Sequence, residues 1–205
     1  QLLDRIEPQV PALVVGHSLG GNASMLYAGV RPQRVSKLVN LEGFGMGRTE
    51  ADQAPKRYER WFEELRDTPA LRPYAGFGEL ADRLQKNNPR LTRERAEFLA
   101  RHWGKEIDGG KVVLRSDPAH KLVNANLYRL DEALACWGRI TAPVLWVEAE
   151  LSETPKRMGL SAEDRAVRRA AVQNLAYATV PDAGHMLHHD QPEAVAKLID
   201  TFLRA

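Results

Sequence analysis

The chain has 205 residues, 43% of them hydrophobic, and its 29 basic and 27 acidic side chains give a formal net charge of +2. This length suits one domain with a sizeable core, with or without an insertion, and the near balance of charge argues against nucleic acid or an anionic membrane as a partner. The one cysteine, Cys136, excludes an intrachain disulfide, and no apolar run is long enough to span a membrane, so we expect a cytoplasmic protein.

Residues 16–20 read Gly-His-Ser-Leu-Gly and form the most informative motif of the chain. An apolar run at 11–15 precedes the motif and an amphipathic segment follows it, which together predict a fully buried strand, a sharp turn and a helix. A G-x-S-x-G turn in this setting is typical of a nucleophile elbow, which lifts the serine hydroxyl above the sheet. We therefore predict that Ser18 is a nucleophile and that the backbone N–H of Leu19 stabilises an oxyanion, whereas the Leu19 side chain belongs to the core. We also expect that neither glycine leaves room for a side chain.

Further along the chain, apolar runs alternate with helical patterns, which predicts a parallel sheet with right-handed crossovers. Residues 48–140 instead combine many charges with apolar side chains at helical spacing, which predicts an inserted helical region. A basic run of arginines in the helix at 161–174 is interpreted as a solvated face. The predicted strands are 13–16, 35–41, 143–149 and 175–180, with a short extended segment at 112–114 within the insertion. The predicted helices outside the insertion are 19–29, 161–174 and 192–203.

His185 stands on the loop that follows the last predicted strand, in the segment Val-Pro-Asp-Ala-Gly-His-Met at 180–186. A histidine at this place, after the serine in chain order, is positioned to act as a general base. We therefore predict that His185 takes the hydroxyl proton of Ser18 and later gives it to a leaving group.

The other histidines near these motifs are given simpler interpretations. His17 is interpreted as a packing or pocket residue. His188 and His189 suggest a metal site only if further ligands join them, and the sequence supplies none with suitable spacing. They are better explained as the start of a helix whose N-cap is Asp190, with Glu193 completing a capping box, so no metal is expected.

With the serine elbow before the histidine loop, the sequence resembles the α/β-hydrolase superfamily, and among its members the bacterial serine hydrolases with an inserted helical cap. The resemblance implies an α/β fold with a mostly parallel sheet, in which residues 1–47 and 141–205 form the hydrolase core and residues 48–140 form the cap. It also implies earlier strands and a loop that supplies the second oxyanion donor. These are absent from the sequence, so we expect it to be roughly the C-terminal two-thirds to three-quarters of such an enzyme.

The acid of the implied triad has two candidate positions. In the family it usually follows the strand after the cap, in a Gly-x-x-Asp turn, but here that turn reads Ala-Glu-Leu-Ser-Glu at 149–153, with Ser152 at the place of the aspartate. Some haloalkane dehalogenases of the family carry the acid at the end of the strand after the elbow helix, where Glu42 stands. Either place serves, because only the geometry matters. We predict Glu42 as the acid, with Glu150 as the alternative.

The resemblance implies a serine hydrolase that cleaves a small ester, thioester or activated carbonyl compound through an acyl-enzyme, without a metal or organic cofactor. Epoxide hydrolases and haloalkane dehalogenases of the family carry aspartate where Ser18 stands, which argues against their chemistry. C–C bond hydrolysis and acyl transfer share the serine triad and stay open. The missing oxyanion loop and the missing aspartate favour a rival hypothesis, a non-catalytic binding protein. A small-molecule substrate is the expected partner; its identity, the oligomeric state and the activity of this chain by itself stay open.

Overall fold

An open parallel sheet is the centre of the computed structural model, which describes residues 2–205. Its strands are β1 (Ala12–His17), β2 (Val35–Leu41), β5 (Val144–Ala149) and β6 (Leu175–Val180). They pair in the order β1-β2-β5-β6 and every pair is parallel, which confirms the predicted parallel sheet. Because parallel strands end on the same side, the residues that follow them lie at one edge of the sheet, where ligand sites of such sheets occur.

Helices connect these strands, and a small hairpin forms a second sheet. The sequence predicts only the apolar strand of this hairpin, because its first strand is mostly polar and lacks an apolar run. None of the helices between residues 2 and 205 is long and apolar enough to cross a membrane. The remaining elements are α1 (Leu2–Ile6), α2 (Leu19–Val30), α3 (Ala54–Arg66), α4 (Phe77–Asn87), α5 (Arg93–Trp103), β3 (Gly104–Ile107), β4 (Lys111–Leu114), α6 (Leu130–Trp137), α7 (Thr154–Arg157), α8 (Ala162–Ala170), α9 (Leu187–Asp190) and α10 (Pro192–Arg204).

The contacts divide the chain into two compact units. The first consists of the residues up to Arg48 together with Tyr128–Ala205, and it contains the four-stranded sheet. The second, Thr49–Leu127, contains α3 to α5 and the hairpin. It has a hydrophobic core of its own, formed by Leu80, Ala81, Leu91, Ala96, Ala100 and Val112.

The helix α6 lies in the first unit, whereas the predicted insertion extended to residue 140. Trp137, at the end of α6, is fully buried in the same cluster as Met25 of α2. Its ring meets that of Trp146 on β5 edge to face, with centroids 5.8 Å apart. This packing ties α6 to the sheet, so the second unit ends at Leu127, thirteen residues before the predicted boundary. The role of the second unit as a cap stays a prediction.

The strand β1 is half exposed, whereas the sequence predicted a fully buried strand. Its residues alternate, since Val14 packs against the core beside α2 while Leu13 and Val15 are 56% and 46% exposed. Among the described strands, β1 pairs only with β2 and is therefore an edge of the sheet. The exposure of Leu13 and Val15 shows separately that one face of β1 lacks the covering that the inner strands have.

The arginines of α8 are held by hydrogen bonds and ion pairs, and the prediction of a solvated basic face is wrong. The Arg168 side chain is 1% exposed and donates hydrogen bonds to the carbonyls of Phe44 and Met46. Arg165 and Arg169 bind the two oxygens of the buried Glu148 carboxylate, at 2.8 and 2.7 Å. A buried charge needs such partners. Periodicity alone did not reveal them, because the acceptors come from distant parts of the chain.

Two glycines of α2 differ in the space around them. A Cβ added at Gly20 would meet no atom within 4 Å, so the expectation that Gly20 leaves no room is wrong, whereas at Gly16 a Cβ would lie 2.5 Å from the Gly20 carbonyl oxygen. A Cβ at Gly29 would overlap the backbone carbonyl of Cys136 on α6. Gly29 therefore lets two helix backbones approach closely.

Gly29→Ala is expected to destabilise the protein by about 2 kcal/mol or more, because backbone cannot yield to the added methyl as a flexible side chain can. Gly20→Ala in the same helix is the matched control, and it should be neutral or stabilise by up to about 1 kcal/mol through helix propensity. Urea denaturation followed by circular dichroism measures both variants. Equal midpoints for the two variants would contradict the close helix contact.

Candidate active site

Ser18 occupies the turn between β1 and α2 in a backbone conformation that non-glycine residues rarely adopt. Its φ of 53° lies in the left-handed region, which is costly for a residue with a Cβ. Hydrogen bonds hold it there: its N–H donates to the Leu41 carbonyl at 2.8 Å and its carbonyl accepts from the Asn22 N–H at 3.0 Å. The non-glycine residues with positive φ among residues 2–205 are Ser18, Glu42 and Asp182.

His185 lies on the loop after β6 and contacts both of the predicted partners. Its Nε2 is 2.9 Å from Ser18 Oγ and its Nδ1 is 3.0 Å from Glu42 Oε2. A carboxylate can only accept hydrogen bonds, so Nδ1 carries the proton and Nε2 is left to accept from the serine hydroxyl. This tautomer is the one that a general base acting on serine requires.

Glu42 follows β2 directly, and its side chain is completely inaccessible to solvent. Its N–H donates to the Val147 carbonyl on β5 at 2.9 Å. Its Oε1 accepts from the Ala149 N–H at 2.7 Å, and its Oε2 accepts from the Ser152 hydroxyl at 2.5 Å as well as from His185. The buried carboxylate therefore has three hydrogen-bond donors, as a buried anion requires.

Glu150, the alternative acid, lies on an exposed turn and serves another contact. Its Oε2 accepts from the Asp182 N–H at 3.0 Å. The structure thus brings Ser18, His185 and Glu42 together and leaves Glu150 outside this chain of hydrogen bonds.

Leu19 is the first residue of α2, and the N–H groups of a first helical turn lack intrahelical partners. A backbone donor next to Ser18 Oγ and at the positive end of the helix suits an oxyanion. The Leu19 side chain is 76% exposed, so its interpretation as a core residue is wrong.

The histidines around the site contact one another, and one of them binds the backbone of the His185 loop. His17 Nε2 contacts the His185 carbonyl oxygen at 2.7 Å, and the ring of His17 lies 4.4 Å from that of His188. His17 therefore supports the His185 backbone, a contact that the sequence did not reveal. Within the described part of the chain, no group of three or more histidine, cysteine, aspartate or glutamate side chains is arranged to hold a metal ion.

Burial shifts the titration of these neighbours toward the neutral form. It lowers the pKa of His17 and of His189, and it lowers the pKa of His188 from 6.5 to about 4. The Nδ1 of His188 is buried without a hydrogen-bond partner in the structure, so a charge on this ring would be poorly solvated.

Asp190 has a different role from the predicted N-cap. The N-cap of α10 is Gln191, and Asp190 is the last residue of the short helix α9. The buried carboxylate of Asp190 accepts the Gly184 N–H at 2.8 Å, immediately before His185. It thereby fixes the loop that carries this histidine. The sequence pattern alone did not distinguish the short helix α9 from the first turn of α10.

One family model and two curated relatives match most of this chain. The model of the Alpha/beta hydrolase family matches residues 1–198. A serine hydrolase-like protein from Danio rerio is 26% identical over 199 residues, which cover 93% of this chain and 60% of the relative. A 2-(acetamidomethylene)succinate hydrolase from Mesorhizobium japonicum is 27% identical over 195 residues, covering 95% of this chain and 64% of the relative. The chain thus spans 60 to 64% of the length of these curated relatives.

Solved structures show the same fold. A hypothetical protein from Pseudomonas aeruginosa superposes with a TM-score of 0.85 at 24% identity, over 99% of this chain and 71% of that one. A thioesterase domain from the curacin biosynthetic pathway superposes with a TM-score of 0.79 at 24% identity, over 97% of this chain and 70% of that one. The family match over nearly the whole chain and the shared fold agree, and the chain belongs to the alpha/beta hydrolase family.

Proposed function

We propose that the protein is a serine hydrolase that cleaves a small ester, thioester or other activated carbonyl compound through a covalent acyl-enzyme. The observation that carries this proposal is the unbroken chain of hydrogen bonds from Ser18 Oγ through the His185 ring to the buried Glu42 carboxylate. Serine needs a base within hydrogen-bond reach to become a nucleophile, and the base needs an orienting group. Ser18 has His185 as its base, and His185 has Glu42 as its orienting group.

In the first step, Ser18 Oγ attacks the substrate carbonyl carbon while its proton passes to His185 Nε2. The negative charge of the tetrahedral intermediate rests on the former carbonyl oxygen, which the Leu19 N–H stabilises. The buried Glu42 carboxylate stabilises the imidazolium that His185 becomes. His185 then gives the proton to the leaving oxygen or sulfur, the bond to that atom breaks, and the acyl group remains on Ser18.

In the second step, water takes the place of the serine. His185 Nε2 accepts a proton from the water, the resulting hydroxide attacks the acyl carbon, and the proton returns to Ser18 Oγ as the acid leaves. No metal or organic cofactor takes part. Because burial lowers the pKa of His17 and His188, these neighbours stay neutral and do not oppose the positive charge on His185.

The names of the curated relatives, a serine hydrolase-like protein and a 2-(acetamidomethylene)succinate hydrolase, support hydrolysis as the reaction class. The one cysteine and the small net charge fit an enzyme that acts on a small molecule in the reducing cytoplasm. C–C bond hydrolysis and acyl transfer use the same triad. Diversion of the acyl product to an added alcohol or amine would reveal acyl transfer.

Labelling with a fluorescent fluorophosphonate, which reacts with activated serines, tests the nucleophile and its base. Ser18→Ala should abolish labelling, and His185→Ala should slow it by about 10³-fold or more, because a triad acts as a unit. Ser24→Ala is the matched control, since the Ser24 hydroxyl on α2 donates to the Gly20 carbonyl and not to a histidine. Labelling that survives in Ser18→Ala would assign the nucleophile to another residue. A folded wild-type protein that does not label would favour the rival non-catalytic binding role.

The identity of the acid is tested by comparing Glu42→Gln with Glu150→Gln. Glu42→Gln should lower the labelling rate by about 10²- to 10⁴-fold, because the amide can stabilise neither the correct tautomer nor the imidazolium. Glu150→Gln should stay within about threefold of the wild type, because its carboxylate binds the Asp182 N–H and not the base. The reverse ranking would assign the acid to Glu150.

The lowered pKa of His188 predicts that the free energy of unfolding depends on pH. The unfolded chain protonates His188 below about pH 6.5, whereas the folded protein does so only near pH 4, so its contribution is fully present above 6.5 and is lost as the pH falls toward 4. Because His188 is only partly buried, water screens part of this effect, and we expect His188→Gln to remove on the order of 1 kcal/mol of the stability that is lost between about pH 7 and about pH 5. Urea denaturation at both pH values measures it, with the exposed His120→Gln as control. An unchanged pH dependence in His188→Gln would contradict the buried, neutral ring.

A further inference from the structure

The Ser152 hydroxyl contacts the same carboxylate oxygen that holds the base. Ser152 Oγ lies 2.5 Å from Glu42 Oε2, and His185 Nδ1 lies 3.0 Å from that oxygen. We propose that Ser152 is a positioning residue, which orients the Glu42 carboxylate for His185. This inference rests on the proposed hydrolase function, and it adds a fourth side chain to the three that carry out the reaction.

The carboxylate requires such a donor because its own side chain does not fix its orientation. The last torsion of a glutamate is broad, so hydrogen bonds must set the plane of the carboxylate. The Ala149 N–H holds Oε1 at 2.7 Å, and the Ser152 hydroxyl holds Oε2. Two donors on two different oxygens define the plane without any help from the imidazole. If Ser152 lost its hydroxyl, Oε2 would retain only the bond to the base that it has to orient.

The hydroxyl of Ser152 is itself oriented by its surroundings. The Thr154 N–H approaches Ser152 Oγ at 3.4 Å, and the Ser152 N–H donates to the Ala149 carbonyl at 3.2 Å. Since Oγ accepts from Thr154, its own proton is available for the carboxylate, which can only accept. Ser152 therefore acts as a donor toward Glu42.

The turn that carries Ser152 also holds the loop of the base. The Leu151 N–H donates to the Ala183 carbonyl at 2.9 Å, and the Glu150 carboxylate accepts the Asp182 N–H. These bonds join residues 150 and 151 to the segment 182–183, which ends two residues before His185. One short turn thus fixes the acid through a side chain and the histidine loop through its backbone.

The experiment measures fluorophosphonate labelling rates and turnover of a nitrophenyl ester. Ser152→Ala should lower kcat and the labelling rate by on the order of 10-fold, with KM little changed, because a hydrogen bond to a charged group is lost. Ser152→Thr keeps a hydroxyl and should restore most of the rate. Melting temperatures of the variants separate loss of rate from loss of folded protein.

A second experiment moves the carboxylate from position 42 to position 152. A gain of labelling rate in this double variant would not be expected if Ser152 only stabilised the fold. Because Ser152 Oγ and His185 Nδ1 share one oxygen of Glu42, the longer side chain of aspartate at 152 extends toward that Nδ1. Glu42→Gly removes the acid and suits the φ of 55° at this position. Glu42→Gly/Ser152→Asp should then label at least about 10-fold faster than Glu42→Gly, because triad function depends on geometry and not on sequence position.

The outcomes separate this inference from the proposed function. If the wild type labels and Ser152→Ala labels equally fast, the positioning role is wrong while the hydrolase proposal stands. Loss of rate in Ser152→Ala without recovery in Ser152→Thr also contradicts a role of the hydroxyl. A folded wild-type protein that does not label contradicts the proposed function, and this inference with it.

Discussion

The buried carboxylate of Glu42 is the constraint on which the rest of the site depends. A carboxylate without solvent access is tolerated only when its oxygens accept hydrogen bonds. Here the donors come from three different residues of the chain. Two of them, at Ala149 and Ser152, belong to β5 and the turn after it. The third is His185, on the loop after β6. Satisfying this one anion therefore requires that the ends of three strands lie in their native positions.

The parallel sheet makes this arrangement possible, because each residue of the site lies on the segment that follows a strand. Ser18 follows β1, Glu42 follows β2 and His185 lies on the loop after β6, so the parallel direction of the strands brings all three to the same edge of the sheet. Two of these residues, Ser18 and Glu42, have positive φ, and the third follows Asp182, which has positive φ as well. Backbone strain of this kind persists only where surrounding contacts over-determine it. Backbone hydrogen bonds accordingly hold each segment of the site at its strand end.

The sequence predicted the elements that have a strong local pattern. The strands at 35–41 and 175–180 were predicted to the residue, and the elbow and the histidine loop were located by motif.

Local sequence patterns do not predict contacts between distant segments of the chain. The burial of Arg168 depends on carbonyls at 44 and 46, and the exposure of Leu13 and Val15 depends on what packs on their face of β1. For the acid, the sequence offered two glutamates, and the distinction required the hydrogen bonds that Glu42 and Glu150 make. The motif identifies Ser152 only as the residue at the usual place of the acid, whereas the structure shows that its hydroxyl binds the Glu42 carboxylate.

The most direct test of this account is a proton NMR spectrum of the protein labelled with ¹⁵N-histidine. The account predicts a strongly deshielded Nδ1–H signal from His185, because this proton lies in a hydrogen bond to a buried carboxylate. The signal should be absent in His185→Gln, should move upfield or vanish in Glu42→Gln, and should persist in Glu150→Gln. A signal that is unaffected by Glu42→Gln would show that Glu42 does not hold the base, and it would contradict the triad on which the proposed function rests.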